Sequence, residues 1–143
     1  PGARLADVPV APVRAGPSRL SLWAPVAAYM ALIFWLSSLS TPPSPGPIND
    51  KVLHFAFYGG LAAVTLRATA GGGLGGVTWG AAAAAWAIAT AYGATDELHQ
   101  RFVPYRSAEL ADLVADSLGA ALAVGVFGAF GIIARWRAAA PPR

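Results

Sequence analysis

Four long apolar stretches, separated by short polar or Gly/Pro-rich breaks, set the pattern of the chain. The first runs from Leu20 to Leu39, with Trp23 and Trp35 near its ends. At about 1.5 Å per residue, that length matches a hydrocarbon layer of about 30 Å. Pro25 falls in the first turns, where a missing N–H is tolerated. Basic residues before the run and small residues after it also suit a signal peptide. The run exceeds the roughly 7–15 apolar residues such a peptide needs, so an uncleaved helix is expected. Residues 41–49 (TPPSPGPIN) hold four prolines and predict a break. Asn49 or Asp50 then caps a second helix over 50–69. Gly71–Gly76 (GGGLGG) separates it from an Ala-rich third helix over 77–101. The chain turns at Pro104. A fourth helix over 107–133 follows, with Ser107 as cap and Glu109 in its first turn. The prediction is an all-α, four-transmembrane-helix bundle over residues 20–134. A basic, Pro-rich tail (1–19) precedes it and a basic tail (135–143) follows.

Composition sharpens this. The chain of 143 residues is 56% hydrophobic and 12% charged, with a mean hydropathy of +0.53. Soluble domains carry about 25% charged residues. There is no cysteine, which excludes disulfides and thiolate metal sites. The ten basic residues divide unevenly between the two ends of a four-helix bundle. Arg4, Arg14, Arg19, Arg67, Arg135, Arg137 and Arg143 fall at the end that holds both termini; Lys51, Arg101 and Arg106 fall at the other. By the positive-inside rule this predicts cytoplasmic termini in a multi-pass protein of the bacterial inner membrane. No aromatic-basic interleaving is present, and GGGLGG lacks the Lys-Ser/Thr of a phosphate loop. Nucleic acid is therefore not expected as a partner. Membrane lipids are, together with another membrane protein or complex.

Of seven carboxylate side chains, five lie between Asp96 and Asp116. Charges near a bilayer are costly, so they sit at the interface, pair, or face a polar cavity. Asp50, His54 and Tyr58 recur every four residues and share a face of the second helix. Tyr92, Asp96, His99 and Gln100 fall on one side of the third. Glu109, Asp112, Asp116 and Gly119 form one stripe on the fourth. His54, Tyr58, Asp96, Gln100, Arg106 and Asp112 are the candidate ligand-binding residues. Asp50, Lys51, Glu97, Arg101 and Asp116 are expected to act as structural polar groups, with Glu97 and Arg101 forming an i,i+4 pair. Arg106 is expected to reach at least one of Asp50, Asp96, Asp112 or Asp116. His54, His99, Asp96, Asp112 and Asp116 supply donors for a divalent ion, but no HExxH or closely spaced His pair accompanies them. Neither a metal nor another cofactor is expected. Gly119, Gly125, Gly128 and Gly131 suit close helix packing.

Two blocks carry a resemblance. One is Asp-Lys-Val-Leu-His-Phe-Ala-Phe-Tyr, residues 50–58; the other is Asp-Glu-Leu-His-Gln-Arg-Phe-Val-Pro-Tyr-Arg-Ser, residues 96–107, followed by Asp112, Asp116 and Gly119. Together they resemble the VanZ-like family of small bacterial membrane proteins, over about residues 20–134. Asp50, Lys51, His54, Tyr58, Asp96, Glu97, Gln100, Arg106, Asp112 and Gly119 match its motif positions. Tyr105 departs from it, since a small residue such as Gly is more usual before that Arg. The resemblance implies a small helical membrane protein, and some members are linked to resistance against the glycopeptide teicoplanin. The expected function is a non-enzymatic envelope protein that binds an anionic lipid-linked or glycopeptide-like ligand through an outward polar cluster. An accessory subunit of a larger membrane complex is one alternative. Its signal would be small-residue seams such as Gly80 and Ala84, or Ala87 and Ala91. A membrane hydrolase or transferase acting on a phosphate-bearing lipid is the other.

Overall fold

The computed structural model describes residues 16–42, 46 and 49–139. Residues 1–15 of the tail expected over 1–19, most of the proline-rich break and the last four residues lie outside the described residues, and Arg19 already belongs to the first helix. Four α-helices follow in order: α1 Arg19–Ser37, α2 Asp50–Thr69, α3 Trp79–Gln100 and α4 Leu110–Ala139. A short 3-10 turn, Leu74–Gly76, lies between α2 and α3. No strand occurs among the described residues.

The helix starts follow side-chain capping. Ser18 accepts from the Ser21 N–H, Asn49 from the Lys51 N–H and Thr78 from the Ala81 N–H. Each satisfies one of the amides that a first turn leaves without an intrahelical partner. After α2 the chain reverses through Gly71 (φ +71°) and Gly72 (φ +98°), conformations that cost glycine little. α4 begins three residues later than Ser107 would place it. Its start is set from α3: the Glu97 carboxylate accepts the Glu109 N–H at 2.7 Å. The Ser107 hydroxyl turns instead to Glu109 Oε1, at 3.4 Å. α4 also runs past the expected end, so Arg135 and Arg137 belong to the helix rather than to a tail.

The helices run alternately up and down. Lys51, at the start of α2, meets Glu109 and Asp112, at the start of α4. His99, at the end of α3, meets Ser38, at the end of α1. At the opposite end, Arg67 donates to the Ser21 carbonyl and Arg135 to the Val77 carbonyl. The start of α1 and the end of α4 therefore share the end away from the acidic residues. The core gathers Leu22, Val26 and Ile33 of α1, Tyr58 and Leu61 of α2, Ala89 of α3 and Ala120 of α4.

α2 sits against all three other helices, and two glycines set close approaches, Gly119 between α4 and α2 and Gly93 between α3 and α4. A Cβ on Gly119 would overlap the Phe55 carbonyl of α2. A Cβ on Gly93 would stand 2.6 Å from Asp116 Oδ2, so the missing side chain on α3 makes room for that carboxylate. Gly131 packs on Val77, whereas Gly125 and Gly128 have nothing within 4 Å of a Cβ, so the seam of four glycines closes only in part.

Among the described residues, α1 and residues 110–137 of α4 are long and apolar enough to cross a membrane. α2 and α3 do not reach that measure. Asp50, Lys51 and Arg67 are built into α2, and Asp96 and Glu97 into α3. Of these charges, all but Arg67 lie at the end of the bundle that holds the site.

Candidate functional site

His54 lies one turn inside α2, where Asn49 starts the helix. Its ring is buried, with 8% of the residue exposed. Nδ1 sits 3.0 Å from Asp116 Oδ1 and 4.0 Å from Glu97 Oε1. Nε2 lies 3.9 Å from Asp50 Oδ2, the i,i+4 neighbour. Asp112 joins from α4, one turn before Asp116, with donors of Asp50, His54 and Asp112 all within 4.8 Å of one another. The Tyr58 ring stacks parallel to His54, centroids 6.3 Å apart and planes 3° apart. Gln100 donates to Asp96 Oδ2 at 3.2 Å, within one face of α3. The structure thus brings Asp50, His54, Tyr58, Asp96, Glu97, Gln100, Asp112 and Asp116 to one end of the bundle.

Lys51 flanks this cluster and donates to Glu109 at 2.8 Å and Asp112 at 2.9 Å. The hydrogen bond and charge of Lys51 hold the Glu109 carboxyl below its ordinary range. Deeper in, acceptors outnumber donors. Asp96 Oδ1, Glu97 Oε1, Asp116 Oδ2 and the Tyr58 hydroxyl are buried without a hydrogen bond. A buried polar atom left in that condition costs about 1–3 kcal/mol, and more when it is charged.

Three expectations are corrected. Arg106 makes no ion pair with a described carboxylate; its backbone N–H closes the turn on Val103. Arg101 makes none either, because α3 ends at Gln100 and Glu97 faces inward to His54 and the start of α4. His99 does not join His54. It lies against Phe34, ring centroids 4.6 Å apart and planes tilted by 32°, and bonds Ser38. Sequence reasoning placed Glu97 and Asp116 among supporting groups, yet they are the two carboxylates nearest His54 Nδ1. The signal for Asp116 was available: it lies seven residues beyond Glu109, on the same stripe.

Residues 20–131 match the family model described as VanZ/LLP1. This chain belongs to the VanZ/LLP1 family. No curated protein and no solved structure matches it. The VanZ-like motif positions now have places in three dimensions. Residues 50–58 supply one wall of the cluster and residues 96–116 the other two. Tyr105, where the motif departs from the family pattern, has φ +64°. That is the left-handed region, which explains why a residue such as Gly suits the position.

The same motif borders a groove of about 360 Å³ between the end of α3 and the start of α4. Ala94, Leu98, Ala108, Leu110 and Leu113 give it apolar walls. Arg101 stands at its rim, and Glu97 links it to the buried cluster. Leu98, Leu110 and Leu113 were not among the expected site residues, and Arg101 was expected only as a partner of Glu97; only the fold shows that they enclose one space.

Proposed function

We propose that this VanZ-like chain is a multi-pass bacterial inner-membrane protein that holds an anionic, lipid-linked ligand at the groove beside its polar cluster. One observation carries the reading. Arg101, exposed and without an ion pair among the described residues, stands over a groove walled by leucine and alanine. A guanidinium binds phosphate or carboxylate through its planar fork. Apolar walls accept a hydrocarbon chain, which favours a lipid-linked ligand over a free glycopeptide. The ion pair to Lys51, which Glu109 shares with Asp112, weakens the repulsion of an anion by that carboxylate. Arg106, in the same connection, is the second cation at this end without an ion pair to a described carboxylate. The membrane setting is supported by the exposed apolar residues of α1 and α4, among them Leu20, Trp35, Leu118, Leu122 and Phe130. Contiguous apolar surface of that kind suits lipid contact.

The test compares a polyprenyl phosphate with the corresponding alcohol, each bound to the purified chain in detergent and measured by native mass spectrometry. The wild type is expected to prefer the phosphate. Arg101→Ala is expected to lose about tenfold or more of that preference, as for removal of a charge-assisted hydrogen bond. Equal binding of phosphate and alcohol by the wild type overturns the reading.

A second reading is an accessory subunit, and it rests on the exposure of Gly80, Ala87 and Ala91 along α3. Small residues let another helix approach closely. Ala87→Leu with Ala91→Leu would then break an assembly while leaving lipid binding intact.

A further inference from the structure

We propose that His54, Glu97 and Asp116 form a site for one divalent transition-metal ion, Mn2+ or Zn2+. The three donors come from three helices and no short motif joins them, so their spacing along the chain weighs against a metal site. The fold removes that objection. One ligand atom from each of the three residues lies within 4.8 Å of the others, and all three residues are buried. His54 Nδ1 is 3.0 Å from Asp116 Oδ1 and 4.0 Å from Glu97 Oε1. Ligands at about 2.0–2.2 Å from a tetrahedral ion stand roughly 3.4 Å apart, so small shifts would seat an ion among them.

A second observation points the same way. Glu97 Oε1 and Asp116 Oδ2 are buried and accept no hydrogen bond. Glu97 is 7% exposed and Asp116 is 0% exposed. The neighbouring Asp96 adds another such oxygen. Among the described residues, four buried carboxylates (Asp96, Glu97, Asp112 and Asp116) have two groups able to carry positive charge beside them, Lys51 and His54. Lys51 is already shared between Asp112 and Glu109. A histidine that ligates an ion is neutral and Lys51 is divided between two carboxylates, so negative charge is in excess around His54, which a divalent cation would offset. Buried charges persist when paired or when they coordinate a metal.

The donor set selects the ion. Carboxylate oxygens alone suit Mg2+ or Ca2+, whereas an imidazole nitrogen among them favours Mn2+ or Zn2+. The surroundings also suit ligation. Tyr58 stacks on the ring of His54, and His54 Nε2 faces Asp50, so the second nitrogen has a carboxylate beside it. Glu97 reaches both the cluster and the groove, which places the ion next to any anionic group that enters.

The site is tested with the metal alone, on the full chain in detergent, without lipid. After chelation and dialysis, Mn2+ binding is followed by electron paramagnetic resonance and Zn2+ by elemental analysis. About one equivalent is expected, with a rise in Tm on metal addition and little effect of Mg2+. Asp116→Asn and Glu97→Gln are each expected to weaken binding at least tenfold. Glu97→Gln keeps an acceptor for the Glu109 N–H, so the start of α4 survives in that variant. His99→Ala changes the other histidine, which lies against α1, and is expected to bind metal as the wild type does. Substoichiometric metal in the wild type overturns the proposal, as does equal binding by Glu97→Gln and His99→Ala. Arg101→Ala is expected to keep the metal, so failure here and failure of the lipid reading are told apart.

Discussion

Tyr105 is 94% exposed and has the left-handed backbone that side chains with a Cβ resist. Its ring is exposed, so a substitution there reads the backbone with little loss of packing. Tyr105→Gly is expected to stabilise the protein by about 1 kcal/mol, partly offset by the entropy of glycine in the unfolded chain. A small rise in Tm by differential scanning fluorimetry would show it; a fall would mean that the turn is not strained. Residue-level legibility was uneven for a physical reason. Spacing within one helix, as for Asp50, His54 and Tyr58, follows from 3.6 residues per turn and needs no tertiary information. Which carboxylate from another helix meets His54 depends on how α3 and α4 rotate about their axes. Glu97 and Asp116 won that contest, which the sequence could not decide. Arg106 was expected to pair inside the cluster and Arg101 to pair with Glu97 along the helix, and among the described residues the ion pairs fall to Lys51 and His54 instead.

At the scale of the element, helix existence was legible because apolar runs, Gly and Pro breaks and capping residues agree. Asn49 and its helix were read from local chemistry alone. The start of α4 was not, because Glu97, twelve residues away, takes the Glu109 amide. The crossing of α2 and α4 depends on Gly119. Gly119→Ala would drive a methyl group into the Phe55 carbonyl, a backbone atom that cannot rotate away. A loss of about 1–3 kcal/mol is expected, from overpacking. Gly125→Ala is the contrasting change on the same helix. Nothing lies within 4 Å of its Cβ, so the gain in helix propensity is expected to leave stability unchanged or raised by up to ~1 kcal/mol. Thermal unfolding of the two variants side by side checks this. Equal stability would show that the two helices do not meet as closely as Gly119 and Phe55 do here.

For the whole molecule, the all-helical class followed from composition, and the alternation of the helices followed from their number. Membrane topology remains a proposal that a labelling experiment decides. The chain has no cysteine, so each introduced thiol is the only one. Tyr105→Cys is expected to react with an impermeant maleimide in intact spheroplasts, and Gly73→Cys only after lysis. The reverse pattern would turn the bundle over. Acidic residues gather at one end of the bundle and arginines at the other, and this makes the molecule an electric dipole. The site end carries Asp50, Asp96, Glu97, Glu109, Asp112 and Asp116 against Lys51, Arg101 and Arg106. The far end carries Arg19, Arg67, Arg135 and Arg137. A transmembrane voltage acts on separated charge with about 2.3 kcal/mol per elementary charge per 100 mV. With a negative interior, the voltage of an energised cell would favour the arginine end inside. The bundle's own charge layout and the electrical state of the cell would then hold the site end outward together, and de-energising the membrane would relax that pull.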